Sequence, residues 1–282
     1  ASQRIDFKNS NIQMIEIMDR EGDVFDVIKN CLSLKHDFVI RAKNNRCLDE
    51  SNEKLFEYIQ SLKPIGTIKL KIRKRPNQIP RRTRLDVAYS KIGIKGPKDR
   101  KFEIIDCNVV YVTEKNHPKD QEPLEWILLS SINVYSFEDA RQIIGWYKCR
   151  WIIEEYHKAI KTGCKVEERQ LKTGERLENF LGVANIVALR IMKLRDYARN
   201  MPEISAKKII DPLKVDVLIN YNNIKKDNIT IYEYYREVAK IGGFIGRKSD
   251  GEPGWQTLWQ GETELSMLVM GAKIVLGRKN YG

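Results

Sequence analysis

One stretch of the chain combines a tyrosine, an arginine, a glutamate and a lysine at helical spacing. Tyr147, Arg150, Glu154 and Lys161 are separated by two, three and six residues. Because a helix turns about 100° per residue, all four are predicted within about 60° of one another on one face. A carboxylate can hold a divalent cation, and the other three side chains can bind phosphate oxygens. This combination suits phosphoryl transfer, in which a metal activates the attacking oxygen and cations neutralise phosphate charge.

The same helix offers two interpretations. His157 and Lys158 extend the polar face. The opposite side carries a predicted core stripe of Ile152, Ile153, Tyr156, Ala159 and Ile160. A solvated surface with i,i+4 ion pairs, such as Arg150–Glu154, would show the same pattern. The spacing alone therefore leaves a reactive face and a solvated face both open.

Capping signals give the bounds of this helix. Ser136 is a typical N-cap and is followed by two acids in the first turn, so the helix is predicted to begin there. Gly163 is a typical stop signal, and the helix is predicted to run to Lys161.

The first 41 residues predict a βαβ unit. A strand over Asn11–Met18, an amphipathic helix over Gly22–Lys35 and a short strand over Phe38–Ile40 follow one another. Ligands of such sheets gather at the carboxyl ends of the strands, and Asp19 and Arg41 occupy those positions.

The next segment has the period-two pattern of antiparallel strands. Thr67–Ile72, Thr83–Ile92 and Phe102–Thr113 are strand candidates, followed by a buried strand over Trp126–Ser130. Between the first two strands lies a basic loop, 73–84, with five arginines and a lysine. It suits contact with a DNA backbone, although a solvated hairpin tip is the alternative. Helices are then predicted over Glu175–Arg199, Thr230–Ile241 and Leu258–Leu276.

Composition narrows the class of protein. The 282 residues include 50 Lys+Arg against 38 Asp+Glu, a net charge of +12, and 42% are apolar, enough for a buried core. No apolar run approaches the roughly 20 residues of a membrane span. Five cysteines without a Cys-x-x-Cys pair argue against a disulfide framework or a zinc site and fit a reducing cytosol. The basic excess is compatible with nucleic acid, an anionic membrane surface or neither.

Three motifs carry a resemblance to a known family. The stretch YKCRWIIEEYHKAIKTGCKVEERQL, beginning at Tyr147, resembles the Tyr-Arg-Glu-Lys signature of the insertion-sequence-four family of bacterial transposases. Asp19–Phe25 (DREGDVF) resembles the motif that holds the second catalytic Asp of the family. Ile241–Phe244 and Gly254–Gly261 resemble the C-terminal region of its transposon-five branch. The resemblance covers nearly the whole chain.

The resemblance implies an α/β fold with two regions. Residues 1–203 would form a ribonuclease-H-like catalytic core that lacks its first strands, with an antiparallel β insertion at about 45–131. Residues 204–282 would form a small α-helical dimerisation region. The implied activity is cut-and-paste DNA transposition. Two Asp and one Glu bind two Mg2+ ions, with Mn2+ as a substitute. Water cleaves the transposon end, and the 3′-OH forms a hairpin and later joins target DNA.

Site residues follow from the resemblance, position by position. Asp19 and Glu154 would be catalytic and would bind the metal. The residues implied in DNA binding are Arg41, Lys43, Trp126, Tyr147, Arg150, His157, Lys158 and Lys161. Trp126 would stack on a base flipped out near the cleavage point. A core position is the alternative, because apolar residues adjoin it. The implied partners are transposon-end DNA, target DNA and a second copy of the chain in a paired-end complex, in the bacterial cytoplasm at the nucleoid.

The chain departs from the family pattern before Asp19. The first catalytic Asp should lie on an earlier strand of a meander, and 18 residues are too few for that meander. Asp6 could not replace it without a different topology. We therefore expect the C-terminal portion of a transposase, without the N-terminal DNA-recognition domain. It would be either part of an active enzyme or an inactive DNA-binding or dimerising fragment that inhibits transposition. A ribonuclease-H-like nuclease of another family is a distant third.

Overall fold

A computed structural model of the chain describes residues 12–49, 53–72, 81–100, 102–118, 121–168, 170–247 and 249–279. Asp6 and residues 73–80 of the predicted basic loop lie outside the described residues. The chain divides into two compact units, residues 1–150 and 151–282. The predicted boundary between functional regions at residue 203 stays a prediction.

The described part of the first unit is built on a six-stranded sheet with the order β1-β2-β6-β5-β4-β3. Its strands are β1 Ile15–Met18, β2 Asp37–Arg41, β3 Gly66–Ile72, β4 Arg81–Lys95, β5 Ile104–Thr113 and β6 Glu125–Ser130. β1 and β2 are parallel, with Ile15 opposite Asp37, and the other neighbours are antiparallel. The parallel pair with its intervening helix confirms the predicted βαβ unit.

Helices cover both faces of this sheet. Helix α1 (Phe25–Ser33) and helix α2 (Leu55–Ser61) pack on the face that carries Phe38 and Ile40. Helix α3 (Phe137–Cys149) packs on the face that carries Val39. Successive side chains of a strand point to opposite faces, so alternate residues of β2 enter two different cores. The strand predictions are confirmed within a few residues, whereas α2 was not predicted.

The basic loop is shorter than predicted. Residues 81–84 belong to β4, where Arg84 lies opposite Lys69 of β3. Arg81 donates to both carboxylate oxygens of the buried Glu114, at 2.9 and 2.7 Å. This bidentate pair neutralises the Arg81 charge within the strand. The run of arginines therefore continues into β4 instead of marking a loop over its whole length.

The second unit is helical. It contains α4 (Trp151–Lys158), a π-helical turn (Ala159–Gly163), α5 (Gly174–Asn200), α6 (Pro212–Tyr221), α7 (Ile231–Ile241) and α8 (Trp255–Lys279). Thr230 and Glu233 form a capping box at the start of α7, as the sequence indicated. α5, α6, α7 and α8 share a core that includes the buried Tyr234, Tyr235 and Leu265.

Two glycines allow α7 and α8 to meet backbone to backbone. A Cβ at Gly242 would come within 1.9 Å of the Thr257 carbonyl oxygen, and one at Gly261 within 1.9 Å of the Val238 carbonyl oxygen. Any larger residue would force the helices apart. Both glycines belong to the C-terminal motifs noted in the sequence, so those motifs have a packing role.

The predicted helix from Ser136 to Lys161 is not continuous. Ser136 caps α3 as expected, but α3 ends at Cys149 and α4 begins at Trp151. The Arg150 N–H bonds to the Tyr147 carbonyl three residues earlier, at 3.1 Å, which interrupts the i→i−4 pattern. The predicted core stripe is also partly wrong. Ala159 and Ile160 are buried, whereas Ile152 and Ile153 are 55% and 48% exposed. No helix in the described part of the chain is long and apolar enough to cross a membrane.

Candidate functional site

Asp19 lies immediately after β1, at the carboxyl end of that strand. Its Oδ1 accepts the Glu21 N–H at 3.0 Å and caps the 3-10 turn Arg20–Gly22. Its Oδ2 lies 3.6 Å from Nη1 of Arg150, which follows α3. The Asp19 side chain is 46% exposed and that of Arg150 15% exposed. The fold therefore presents a carboxylate to solvent and places a largely buried cation behind it.

Arg41, Trp126 and Tyr147 form a second group in the first unit. Arg41 ends β2, and its Nη2 donates to the Glu125 carbonyl at 2.7 Å. Burial lowers the pKa of Arg41, while the nearby Tyr147 phenol opposes that effect. Tyr147 meets Trp126 edge to face, with ring centroids 5.4 Å apart. A cation, a phenol and an indole thus lie together where β2, β6 and α3 converge.

Trp126 is a core residue in this structure. Its side chain is 8% exposed and packs in the same cluster as Tyr147, Val112 and Leu128. This burial agrees with the core alternative that the sequence left open. Stacking of the indole on a flipped base stays a prediction.

The backbone of Lys43 is fixed by a carboxylate that the sequence motifs did not indicate. Asp23 is buried, and its Oδ2 accepts the N–H groups of Lys43 and Asn44, both at 2.7 Å. Its Oδ1 pairs with Nη2 of Arg46 at 2.6 Å. Asp23 therefore ties the segment after β2 to the segment after β1. The DREGDVF motif contains both Asp19 and Asp23, and only their different burial separates their roles.

The other predicted site residues belong to the second unit. Glu154 is partly exposed on α4, and His157 and Lys158 are exposed. Lys161 lies in the π-helical turn, where its Nζ pairs with Glu167 at 2.8 Å. Single π-helical turns within helices are frequent at functional sites. That Glu154 and Lys161 share a reactive face with Tyr147 and Arg150 stays a prediction.

The carboxylates have the chemistry that a hard divalent cation prefers. Asp19 uses one oxygen for the Glu21 N–H and has Arg150 beside the other, yet an ionised carboxylate has about four lone-pair sites. Lone pairs therefore remain for a metal at Asp19. Among the described residues, no group of three His, Cys, Asp or Glu side chains is close enough together to hold an ion. A carboxylate such as that of Asp19 is the kind of oxygen ligand that Mg2+ prefers in proteins, and a shared metal with Glu154 stays a prediction.

The mixed α/β sheet with helices on both faces, followed by a helical unit, is consistent with the ribonuclease-H-like core and helical C-terminal region of a DDE transposase. A family model described as a transposase DDE domain matches residues 17–190, more than half of the chain. The chain belongs to this family of transposases. A second model, described as the Tn5 transposase dimerisation domain, matches residues 186–282. All ten predicted site residues fall inside the DDE match. The family generally depends on divalent metal ions and acts on DNA, and the second match supports dimer formation.

Proposed function

We propose that this chain is the C-terminal part of a cut-and-paste transposase of the insertion-sequence-four type, acting at the nucleoid in the bacterial cytoplasm. It cleaves transposon ends by metal-dependent phosphoryl transfer and joins the 3′-OH to target DNA. The observation that carries the proposal is Asp19, an exposed carboxylate at a strand end inside the DDE match. Asp19 and Glu154 would hold Mg2+, or Mn2+ in its place, and the metal would supply activation of the attacking oxygen and stabilisation of the leaving one.

The basic residues around Asp19 hold the DNA strand in this proposal. Arg150 pairs with Asp19 in the free protein, and its guanidinium suits a phosphate when DNA arrives. Arg41 and Tyr147 bind the neighbouring phosphates, and so does Lys43, which lies two residues after Arg41. From the second unit, Lys158 and Lys161 supply further cations, and His157 supplies a further hydrogen-bonding group.

The edge of β1 opposite β2 supports a contribution from a further strand. In the described sheet β1 has β2 on one side only. A strand that paired with the other edge would have one end close to Asp19. We propose that such a strand carries the first catalytic Asp.

The exposed face of α8 supports the homodimer. Met267, Met270 and Ile274 are about 60% exposed and recur at i, i+3 and i+7 on the helix. These residues lie in the stretch that matches the dimerisation domain. We propose that two copies meet through this stripe in a paired-end complex, because such an apolar stripe favours association.

The test is cleavage of a transposon-end duplex with Mg2+, for the chain alone and after addition of the upstream polypeptide. We expect cleavage only in the complemented sample, and its loss in Asp19→Asn and in Glu154→Gln. Glu21→Gln in the first unit and Glu178→Gln in the second unit are the controls, since each removes an exposed carboxylate. Cleavage that survives both Asp19→Asn and Glu154→Gln would overturn the proposal.

The alternative is an inactive fragment that inhibits transposition by binding DNA or full-length enzyme. The matched dimerisation region and its α8 stripe favour this candidate. It predicts that the chain lowers the activity of an intact transposase in a mixture, and that complementation never restores cleavage.

A further inference from the structure

A groove of about 790 Å³ runs between helix α3 and the edge strand β3 of the first unit. At one end Gly66 allows the close approach, since a Cβ there would come within 2.6 Å of the Phe137 ring. Ile68 and Ile144 form part of its floor. The groove is distinct from the surroundings of Asp19, and none of the predicted site residues lines it.

Three cations line the groove. Arg141 and Lys148 lie on α3, seven residues apart and therefore on the same side of the helix, and Lys69 lies on β3. Thr67 and Gln142 add neutral donors. A lysine on an edge strand can serve simply to block pairing with other strands, which would account for Lys69 alone. It does not account for two further cations on the facing helix.

The acids of the groove are already occupied. Asp139 accepts the backbone N–H groups of Tyr135 and Ser136, at 3.0 and 2.9 Å, as part of the α3 cap. Glu138 pairs with Arg141 at 2.8 Å. Both lie in the first turn of the helix, so the end of the groove near Lys148 is the more positive one.

Lys148 carries a charge that its surroundings do not favour. It is partly buried, and no ion pair to it occurs among the described residues. Burial lowers its pKa, and the like charge of Arg141 lowers it further. A bound anion would stabilise the charged amine and so oppose both effects. Gly145 lies between the two cations on this side of α3, and a Cβ there would have no atom within 4 Å, so a ligand can approach the helix closely.

We infer that this groove binds the phosphate backbone of a DNA duplex, through Lys148, Arg141 and Lys69, at a site separate from the contacts to the cleaved strand. The inference rests on the proposed function, because an enzyme that joins two DNA segments needs a surface for each. Lysine, arginine, threonine and glutamine are the usual donors to DNA phosphates. Such binding is independent of sequence and weakens with salt.

The test measures binding of the full chain to a fluorescein-labelled duplex of arbitrary sequence, by anisotropy without divalent metal, over a series of salt concentrations. We expect Arg141→Ala with Lys148→Ala to bind roughly tenfold more weakly and to reduce the slope of log K against log salt by about 1–2, since each phosphate contact contributes about 0.9. Lys98→Ala, which removes an exposed cation of the same unit outside the groove, is the control and should change the slope by less than the double variant does.

Gly145→Glu provides a variant that preserves the fold. The new side chain has space, and replacing a helical glycine stabilises the helix. Its carboxylate should repel DNA, so Gly145→Glu should bind more weakly than the neutral Gly145→Gln, which has the same bulk. Equal affinities and slopes for Gly145→Glu and Gly145→Gln would overturn the inference. Preferential binding of polyglutamate over DNA would do so too, because it would assign the groove to an acidic protein.

Failure of this inference is distinguishable from failure of the proposed function. Asp19→Asn and Glu154→Gln should abolish cleavage while leaving the salt-dependent binding unchanged. The groove variants should weaken binding of the arbitrary duplex whether or not the chain cleaves DNA.

Discussion

Nη1 of Arg150 lies 3.6 Å from Oδ2 of Asp19, and these two residues link the end of α3 to the end of β1. The cation is the more buried partner and the carboxylate the more exposed one. The pair therefore holds the carboxylate in place while leaving it open to solvent on one side.

Arg150→Gln should change function far more than stability. An ion pair with one half-exposed partner contributes at most about 1 kcal/mol to the free energy of unfolding. We expect a small loss in urea titrations, together with loss of transposon-end cleavage in the complemented enzyme. Arg150→Lys keeps the charge but loses the planar guanidinium that can donate two parallel hydrogen bonds to a phosphate. It should therefore retain more of the wild-type stability than of the cleavage activity. A Gln variant with unaltered cleavage would contradict the proposed role.

Asp23→Ala should destabilise the first unit. Asp23 accepts from two backbone N–H groups and pairs with Arg46, so its removal leaves a nearly buried cation without its carboxylate. We expect a loss of about 3 kcal/mol in the free energy of unfolding, measured with urea. Glu21→Ala, an exposed acid two residues earlier, should cost less than 0.5 kcal/mol, as surface substitutions usually do. Similar losses in both variants would show that the contacts of Asp23 with Lys43, Asn44 and Arg46 do not stabilise the fold.

Acid should weaken the fold through Glu114. The Arg81 guanidinium lowers the pKa of this buried carboxyl from 4.5 to about 2. A group whose folded pKa is depressed stabilises the fold above its unfolded pKa and loses that contribution as the pH falls through the folded value. We expect part of the unfolding free energy, roughly 2–3 kcal/mol, to disappear between about pH 5 and pH 2.

Glu114→Gln should remove this part of the pH dependence. Glu122→Gln, which alters an exposed acid in the same region, should retain it. The measurement is urea unfolding at a series of pH values. Parallel profiles for the wild type and Glu114→Gln would contradict the assignment.

Met270→Lys should give a monomer. The substitution places a charge in the exposed α8 stripe, where it would be buried in the proposed dimer without a partner. Sedimentation at micromolar concentration should show a dimer for the wild type and a monomer for the variant. Lys273→Glu changes an exposed charge of α8 outside the i, i+3, i+7 stripe and should leave the dimer intact. A wild-type monomer would count against the dimer itself.

Trp126 can be tested by changing its stacking ability while filling its core site. Trp126→Phe keeps an aromatic ring, and Trp126→Leu keeps an apolar volume. If the indole stacks on a flipped base, fluorescence of 2-aminopurine at that base should change in the Leu variant more than in the Phe variant. Both variants should lose about 1–3 kcal/mol of stability because the site is buried. Identical fluorescence in all three proteins would leave Trp126 with a packing role only.

Local patterns predicted most of the sheet, and tertiary contacts account for what they missed. The apolar periods of β1, α1 and β2 identify the βαβ unit because α1 and β2 bury apolar side chains in one core, against which Met18 of β1 packs. Helix α2 was missed because its seven residues are too few to show a period. Ile152 and Ile153 were assigned to the core because a helical wheel cannot show which apolar residues remain exposed. Arg150 looks like one more helical residue in the sequence, and only the bond of its N–H to Tyr147 reveals the interruption.

Candidate site residues were harder to separate from framework residues. Asp19 and Asp23 share one motif, and spacing cannot show that one is exposed and the other buried. Trp126 was left between two roles for the same reason. The groove along α3 was not predicted, since its cations come from β3 and from positions on α3 that carry no recognisable motif.

The two aspartates of the DREGDVF segment have a consequence for genetics. A screen for loss of transposition would recover substitutions at both positions, and their four-residue separation would suggest a single active-site loop. The lesions would nevertheless differ in kind. Asp19 variants should accumulate as folded protein that can compete with the wild type in mixed complexes, whereas Asp23 variants should be degraded and recessive. Protein abundance and genetic dominance, rather than loss of activity, would distinguish a catalytic residue from a structural one in this segment.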